Sequence, residues 1–218
     1  MLIYMLYKLP DNPVWVKLKK LLTSMSSWKG WEEFNWYYEA VRTELFLVAK
    51  RTKLDIKEFY RGADFSSVSD CLFQLEEVAL IRANHRWPSD ESHIALSEAI
   101  HSKSPVVKCV DSNVCDIFHA VFVGKDRSKI NEDFCYILQF KEPKTATKIS
   151  LSLVLEEVDK CKEAMKQAVI TQFRVLLLTT KKLIFEPKDL PENVLIVHCS
   201  NFEQYFSHTL AARALGKH

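Results

Sequence analysis

Residues 115–141, CDIFHAVFVGKDRSKINEDFCYILQFK, contain two apolar stretches on either side of a polar one. The first, 115–123, is typical of a buried strand, and the second, 134–141, alternates as a strand does. The polar residues 124–133 have the composition of a turn between them. We therefore expect these residues to form an antiparallel hairpin with a long tip, at the centre of the fold.

Folding this hairpin predicts a cluster of polar groups at one end of it. Asp116 then lies beside Gln139 and Lys141, because residues opposite each other on paired strands are only about 4.5–5.5 Å apart. A carboxylate, an amide oxygen and the Phe140 carbonyl are oxygen ligands suited to Mg²⁺, which assists phosphodiester hydrolysis. Lys141 would orient the attacking water and stabilise negative charge. The alternative is an ordinary ion pair between Asp116 and Lys141 at the end of two strands.

Helical patterns flank the hairpin on both sides. Residues 29–50 carry an unusually aromatic apolar stripe at helical spacing, and residues 150–171 carry a second stripe. The apolar runs 174–180 and 194–198 predict buried strands, and a last helix is expected over 201–215. This order of helix, strands, helix and strand indicates an α/β fold with a central mixed sheet flanked by helices.

The remaining segments give weaker signals. Residues 13–27 have an amphipathic helical pattern, residues 56–60 favour a strand ending at Gly62, and residues 72–82 favour extended structure. A short helix is expected from Ser89 or Asp90 to about 101. We divide the chain into an N-terminal helical extension, 1–28, and a domain, 29–218.

Composition excludes several classes of protein. The 218 residues are 48% hydrophobic and include only 4 Gly, and 30 Lys and Arg against 28 Asp and Glu leave a net charge of +2. These values exclude a collagen-like or mostly disordered chain and indicate a globular domain. Six scattered cysteines favour reduced thiols over a disulfide framework. We expect no association with a membrane, because no long apolar segment is present.

Familiar motifs are missing from the sequence. No glycine-rich phosphate loop occurs, so nucleotide hydrolysis by this chain alone is not expected. Neither an HExxH motif nor a GxSxG motif is present. Cys115 with His119, and His198 with Cys199, are isolated pairs that fit a core better than zinc. Seven basic residues near predicted turns and strand ends could contact DNA phosphates or serve solubility: Lys125, Arg127, Lys129, Lys144, Lys148, Lys181 and Lys182.

The sequence around the hairpin resembles the PD-(D/E)xK restriction-endonuclease-like superfamily. Asp116 and the triplet Gln139-Phe140-Lys141, with a helix before and a helix-strand unit after, carry the resemblance. It is nearest to the C-terminal nuclease-like domain of Crinkler effectors and retrotransposon hot spot proteins and spans about 29–215. Further cues are WEEFNWYYEAVR (31–42), KEFYRGA (57–63), CDIFHAVF (115–122), ILQFK (137–141) and LPENVLIVHCSNFEQYFSHTLAAR (190–213).

The resemblance implies a restriction-endonuclease-like core, αβββαβ, and a Mg²⁺- or Mn²⁺-dependent DNA endonuclease with little sequence specificity. It also implies a further acid on the first helix. Glu33 is our choice, because Glu32 and Glu39 lie farther from the apolar stripe. A plain solvated glutamate is the alternative for Glu33.

The resemblance also implies partners and a location. Such domains usually follow a P-loop ATPase region, which is missing from this chain, and act on DNA in the nucleus of a host cell or of the producer itself. Cys115 stands where the superfamily has Pro, and Gln139 replaces the commoner acid. The alternative function is therefore a catalytically inactive effector that keeps the nuclease fold and binds DNA or a host protein.

Overall fold

The structure is a computed structural model of the 218-residue chain. It describes residues 16, 20, 28–51, 53–66, 72–74, 80–84, 94–95, 106–109, 117–120, 135–140, 148–167, 173–207 and 210–211, with the backbone alone for the strands between 72 and 140.

The described residues form helices and strands in mixed order. The helices are α1 (Trp28–Val48), α2 (Ile56–Phe59), α3 (Leu151–Gln167) and α4 (Phe202–Phe206), with a 3₁₀ turn at Pro187–Asp189. The strands are β1 (Lys53–Asp55), β2 (Asp64–Phe65), β3 (Leu72–Gln74), β4 (Leu80–Asn84), β5 (Ile94–Ala95), β6 (Val106–Cys109), β7 (Ile117–Ala120), β8 (Cys135–Phe140), β9 (Lys148–Ile149), β10 (Phe173–Leu178), β11 (Lys182–Leu183) and β12 (Val194–Val197).

Eight of these strands build one mixed sheet in the order β2-β12-β10-β8-β7-β6-β4-β5. Strands β6, β7 and β8 form an antiparallel meander, while β8, β10 and β12 run parallel to one another. The predicted α/β class with a mixed sheet is therefore confirmed. The predicted hairpin is confirmed as well, since β7 pairs antiparallel with β8.

Helix α1 packs on one face of the sheet and contributes half of the buried aromatic residues of the core. Phe34 is fully buried in this core, stacked between neighbouring rings of the same helix. Val48, the last residue of the predicted apolar stripe, is not buried: it is 51% exposed at the last turn of the helix. Alternate residues of β10 and β12, the apolar side of α4, the segment around α2 and residues 210–211 complete the cluster: Leu176, Leu178, Leu195, Val197, Phe202, Tyr205, Phe206, Leu54, Ile56, Phe59, Tyr60, Ala63, Leu210 and Ala211.

Helix α3 begins where the sequence predicted. The Ser150 hydroxyl accepts a hydrogen bond from the Leu153 amide at 3.3 Å, as a helix N-cap does. The helix contacts β10 and buries one side, with Val154 and Val158 among its buried residues. Its buried residues are separate from the aromatic cluster on α1. The sheet is thus covered on both faces, which explains the continuous apolar runs of β10 and β12.

Three predictions about local structure are wrong. Residues 56–59 form a helix rather than a strand, because the Asp55 carboxylate caps it by accepting from the Lys57 amide at 2.6 Å. Residues 94–95 form a strand beside β4, within the segment predicted as a helix. The last helix does not run unbroken through 201–215, since Ser207 has a φ of 70°, which α-helical backbone does not adopt.

Other predictions fall partly on residues outside the described set. Of the helix expected over 13–27, only Val16 and Lys20 are described, and both are helical. Within 72–82, the described residues belong to strands β3 and β4, as the extended pattern predicted. Among the helices that the structure describes, none has the length and apolar character needed to span a membrane.

Candidate functional site

The predicted site lies at the end of the hairpin, and the structure describes part of it. Gln139 and Phe140 are the last two residues of β8, in register with Leu177 and Leu178 of β10. On the other side of β8, Leu138 pairs with Ile117, the first residue of β7. The backbone of this end of the hairpin is therefore defined on both sides.

The other predicted residues are not settled by the structure. Asp116 and Lys141 lie outside the described residues. In the sequence, Asp116 directly precedes the first residue of β7, and Lys141 directly follows the last residue of β8. Glu33 belongs to α1, with only its backbone described. The convergence of these residues with Gln139 stays a prediction.

A row of register partners crosses the sheet at this level. Gln139 pairs with Leu177, Leu177 with Ile196, and Ile196 with Asp64 of β2. Register partners share a face of a sheet, and the alternate residues Leu176 and Leu178 belong to the core on α1. The position of Gln139 is therefore on the face opposite α1, and three inter-strand spacings, about 14 Å, separate it from Asp64.

A histidine and an aspartate meet at the same edge of the sheet. His198 follows the end of β12, and its Nε2 lies 3.0 Å from Asp64 Oδ2. The histidine side chain is 13% exposed and the aspartate side chain 35% exposed, so the pair lies beneath the surface with one open side. The carboxyl ends of parallel strands are where α/β proteins commonly bind ligands. His198 occupies such a position, because it directly follows the carboxyl end of β12.

The loop that follows β12 fixes the backbone of His198. Its backbone amide donates to Asn201 Oδ1 at 2.7 Å, and the side-chain Nδ2 of Asn201 donates to the Ile196 carbonyl at 3.5 Å. Cys199 is half-buried, and its Sγ lies 3.9 Å from Ser200 Oγ. Among the described side chains, no group of three His, Cys, Asp or Glu could hold a metal ion.

Two lysines face each other on a small parallel ladder at this end of the molecule. Lys148 of β9 and Lys182 of β11 are register partners, and both are exposed. Strand β11 begins four residues after the end of β10. Like charges directly opposite each other on paired strands are unfavourable, and an anion between them would relieve the repulsion.

A second polar cluster lies inside the aromatic core, where α1 meets α4. Tyr205 donates its hydroxyl to Glu39 Oε1 at 2.5 Å, and Tyr38 donates its hydroxyl to the Tyr205 carbonyl at 2.6 Å. Arg42 donates to Glu39 Oε1 and to the Tyr205 carbonyl, both at 3.3 Å. Its guanidinium carbon lies 4.1 Å from the centre of the Tyr205 ring. These contacts tie the two helices together through buried polar groups.

Burial dominates the ionisation of this cluster. It raises the pKa of the Glu39 carboxyl, although Arg42 and the Tyr205 hydroxyl act in the opposite direction. It raises the pKa of Tyr38 to about 12 and that of Tyr205 well above its usual range. In both tyrosines the nearby Arg42 charge works against the rise. The cluster therefore favours neutral tyrosines beside a cation.

A cavity of about 160 Å³ opens beside this cluster. Tyr38, Arg42 and Tyr205 form its buried end, and Arg51, Glu58 and Arg61 lie nearer its mouth. Arg51 and Glu58 form an ion pair that is about two-fifths exposed on each side chain. Gln204 and apolar side chains of α1, of the turn that follows it and of α2 also line the cavity: Leu45, Phe46, Ala49 and Phe59.

Neither the cluster around Arg42 nor the pair of His198 and Asp64 follows from the sequence pattern alone. Glu39 was expected to point away from the apolar stripe, but it is 1% exposed because α1 is covered on several sides. His198 was considered beside Cys199, whereas its partner is Asp64, 134 positions away in the chain. The signal that did exist was local: Arg42 lies three residues after Glu39 and four after Tyr38 on one helix, so both can contact it.

Comparisons with known proteins add no relative: no family model matches the chain, and neither do the curated proteins or the solved structures with which it was compared.

Proposed function

We propose that the chain is a Mg²⁺- or Mn²⁺-dependent DNA endonuclease domain with a restriction-endonuclease-like core, similar to the nuclease-like domain of Crinkler effectors. It would hydrolyse phosphodiester bonds with little sequence specificity. The observation that carries the proposal is the register of the hairpin. Ile117, which follows Asp116 in the sequence, pairs with Leu138, which precedes Gln139.

If this register continues by one residue, Asp116 would lie opposite Gln139. The donor set would then be a carboxylate, an amide oxygen and the Phe140 carbonyl, all hard oxygens of the kind Mg²⁺ prefers. A bound Mg²⁺ would supply Lewis-acid polarisation of the phosphate. Lys141 follows Gln139 by two positions and would hold the attacking water and offset the charge that develops on the phosphate oxygens.

Two further observations support the proposal. Helix α1, the antiparallel strands β6, β7 and β8, helix α3 and the parallel strand β10 occur in the αβββαβ order along the chain, with strands β1 to β5 and helix α2 inserted between α1 and β6, and β9 between β8 and α3. The facing lysines Lys148 and Lys182 offer a contact for a phosphate of the DNA backbone, which carries no sequence information.

Glu33 has a lesser part in the proposal. Its helix packs on the face of the sheet opposite the position of Gln139, so Glu33 would have to approach the metal around the end of β8. Replacing Glu33 by Gln should therefore reduce the cleavage rate less than replacing Asp116.

Plasmid degradation by the purified chain with Mg²⁺ or Mn²⁺ tests the proposal. Asp116→Ala and Lys141→Ala should each reduce the rate by at least about a hundredfold, the scale expected when a metal ligand or an electrostatic group is lost. Asp64→Asn is the matched control, because Asp64 is a carboxylate in the same register row, about 14 Å from Gln139. Equal activity in all four proteins would refute the assigned roles.

The second candidate is an inactive effector that keeps the fold and binds DNA or a host protein, and Gln139 favours it. A neutral amide attracts Mg²⁺ less strongly than a carboxylate does. Thermal unfolding with millimolar Mg²⁺ or Mn²⁺ separates the two, since a ligand that binds only the folded state raises its stability. An unchanged unfolding temperature together with retained DNA binding would favour the inactive effector.

Both candidates place the protein in a nucleus, that of a host cell or of the producer, with a P-loop ATPase region as a potential partner. A fluorescent fusion too large to diffuse through nuclear pores tests whether the chain itself carries an import signal. We expect this fusion to be excluded from the nucleus, because the short basic runs Lys17-Leu-Lys-Lys20 and Lys181-Lys182 are weak signals. Entry of the unfused chain would then depend on a partner or on passive diffusion.

A further inference from the structure

The cavity beside Arg42 has the features of a binding site for a small organic anion, and nothing in the proposed nuclease function requires it. We propose that this cavity binds a monocarboxylate with one aromatic or branched apolar group. The proposal rests on the size of the cavity, the charges that line it and the hydrogen bonds that Arg42 makes.

Size selects the class of ligand. A volume of about 160 Å³ is close to the roughly 150 Å³ of an engineered protein cavity that takes up benzene. The cavity therefore accommodates one ring or a short branched chain and is too small for a nucleotide. Its apolar lining by Leu45, Phe46 and Phe59 matches such a group.

Charge selects the sign of the ligand. Three arginines line the cavity, Arg42, Arg51 and Arg61, and the one carboxylate among the lining residues, Glu58, is already bonded to Arg51. The lining thus carries an excess of positive charge. Arg51 and Arg61 are exposed and Arg42 is buried, so an incoming anion meets positive charge at the mouth and again at the buried end.

Arg42 is the group that would hold the carboxylate. Its hydrogen bonds to Glu39 and to the Tyr205 carbonyl both measure 3.3 Å, and the bond to Glu39 is longer than the roughly 2.7–2.9 Å of a strong bond between ions. The guanidinium is a planar fork with five donors, and these two bonds use one each. The fork matches a carboxylate, which it can bind through two parallel hydrogen bonds.

Glu39, the buried acid that is bonded to Arg42, would not prevent a second anion from binding to Arg42. Glu39 shares its Oε1 between Arg42 and the Tyr205 hydroxyl, and burial disfavours its ionised form. A carboxylate entering from the cavity side would place a second acceptor beside the Arg42 cation, which bonds to Glu39 through Oε1 alone, in a low-dielectric site where such a contact is strong. The apolar group of the ligand would then fill the space beside Phe46.

Calorimetric titration of the full chain with sodium benzoate tests the proposal, with benzyl alcohol as a neutral analogue of similar shape and inorganic phosphate as an anion without an apolar group. We expect benzoate to bind at least about tenfold more tightly than either. Benzyl alcohol binding equally well would overturn the role of charge, and phosphate binding equally well would overturn the role of the apolar lining. No heat of binding with benzoate at tens of millimolar would overturn the site itself.

Two variants locate the binding. Ala49→Leu extends a side chain into the cavity and should weaken benzoate at least about tenfold, while Val48→Leu, at an exposed position next to it, should leave affinity unchanged. Arg61→Gln removes a charge at the exposed mouth without touching the buried cluster and should weaken benzoate about threefold. Benzoate affinity that is the same in wild type, Ala49→Leu and Arg61→Gln would place the binding elsewhere and refute the proposal.

Discussion

Two acid–base pairs in this molecule are alike in chemistry and differ in setting. Arg42 and Glu39 lie 3.3 Å apart with side chains 7% and 1% exposed, inside an aromatic core between two helices. His198 and Asp64 lie 3.0 Å apart with side chains 13% and 35% exposed, at the carboxyl edge of the sheet. The first pair has lost almost all contact with water, and the second keeps part of it.

The difference in burial separates a pair that stabilises the fold from a pair that a ligand can reach. Removing one partner from a buried pair leaves the other charge without water and without a counter-ion, which is strongly destabilising. Removing one partner from a pair near the surface allows water to take its place at little cost. We therefore expect Arg42 and Glu39 to determine stability, and His198 and Asp64 to tolerate change and to remain open to a ligand.

The largest effect is expected for Arg42→Met. This substitution keeps much of the apolar stem but leaves Glu39 buried without its cation, and it should lower the free energy of unfolding by about 3–5 kcal/mol. Arg51→Met is the matched control, because Arg51 pairs with Glu58 at the surface, and it should cost about 0–1 kcal/mol. Urea unfolding of the two variants measures the difference, and equal losses would contradict the contrast between buried and exposed pairs.

The next largest effect concerns the packing of α4 against Gly62. Helix α4 carries Tyr205, which bonds to Glu39. Gly62 has a φ of 96°, and a Cβ added there would lie 2.7 Å from the Tyr205 amide nitrogen and 2.8 Å from the Gln204 carbonyl carbon. Both contacts are with backbone, so α4 must shift. Gly62→Ala should cost about 2–4 kcal/mol, from strain at positive φ and loss of packing.

Gly62→Asn distinguishes the two causes of that loss. Asn tolerates positive φ better than Ala does, but it carries the same Cβ. If the close approach of α4 is the main cause, both variants should lose similar stability in urea unfolding. A near-normal stability of Gly62→Asn would show that backbone conformation alone makes the glycine necessary.

A third prediction uses pH to test burial of the cluster. The pKa of Tyr38 is raised from 10.0 to about 12, so the folded state holds this proton more tightly than the unfolded chain. The corresponding stability is present below about pH 10 and is lost as pH rises toward 12. Between about pH 9 and pH 11 the wild type should lose roughly 1 kcal/mol through Tyr38, in addition to the loss through Tyr205.

Tyr38→Phe removes this contribution. Its stability should fall less steeply than that of the wild type over the same pH range, although it starts about 1 kcal/mol lower because the hydrogen bond to the Tyr205 carbonyl is missing. Urea unfolding at the two pH values measures both slopes. Parallel slopes would mean that the Tyr38 hydroxyl is not shielded from water.

The smallest effect is expected at the edge of the sheet. Asp64→Asn keeps the shape of the side chain and can still hydrogen-bond to His198, so it should change the free energy of unfolding by no more than about 1 kcal/mol. Chemical unfolding at neutral pH is the measurement. A loss as large as that of Arg42→Met would show that this pair, too, is structural.

The elements that the sequence predicted well are those with a strong local pattern. The strands of residues 117–120 and 135–140 follow from two apolar stretches around a polar tip, and α1 and α3 follow from their helical spacing. The helix at 56–59 was missed because the Asp55 cap outweighs the apolar composition. The break at Ser207 was missed because its backbone conformation has no signal in the sequence.

The candidate site shows the limit of local patterns more clearly. Hairpin geometry predicted that Gln139 lies at a strand end, and the register agrees. The pairing of His198 with Asp64 depends on β2 joining the sheet beside β12, which no spacing in the sequence announces. The burial of Glu39 depends on α4 covering a second side of α1, and helical periodicity indicates only one buried side.

The most direct test of the proposed nuclease is the dependence of DNA cleavage on Mg²⁺ concentration in the wild type, Gln139→Glu and Gln139→Ala. If position 139 binds the metal, the carboxylate should lower the Mg²⁺ concentration for half-maximal cleavage by about tenfold, and alanine should raise it by at least as much. The control is Asp64→Asn, which should match the wild type. Identical Mg²⁺ dependence in all four proteins, or no cleavage by the wild type and Gln139→Glu at any Mg²⁺ concentration, would contradict the proposal.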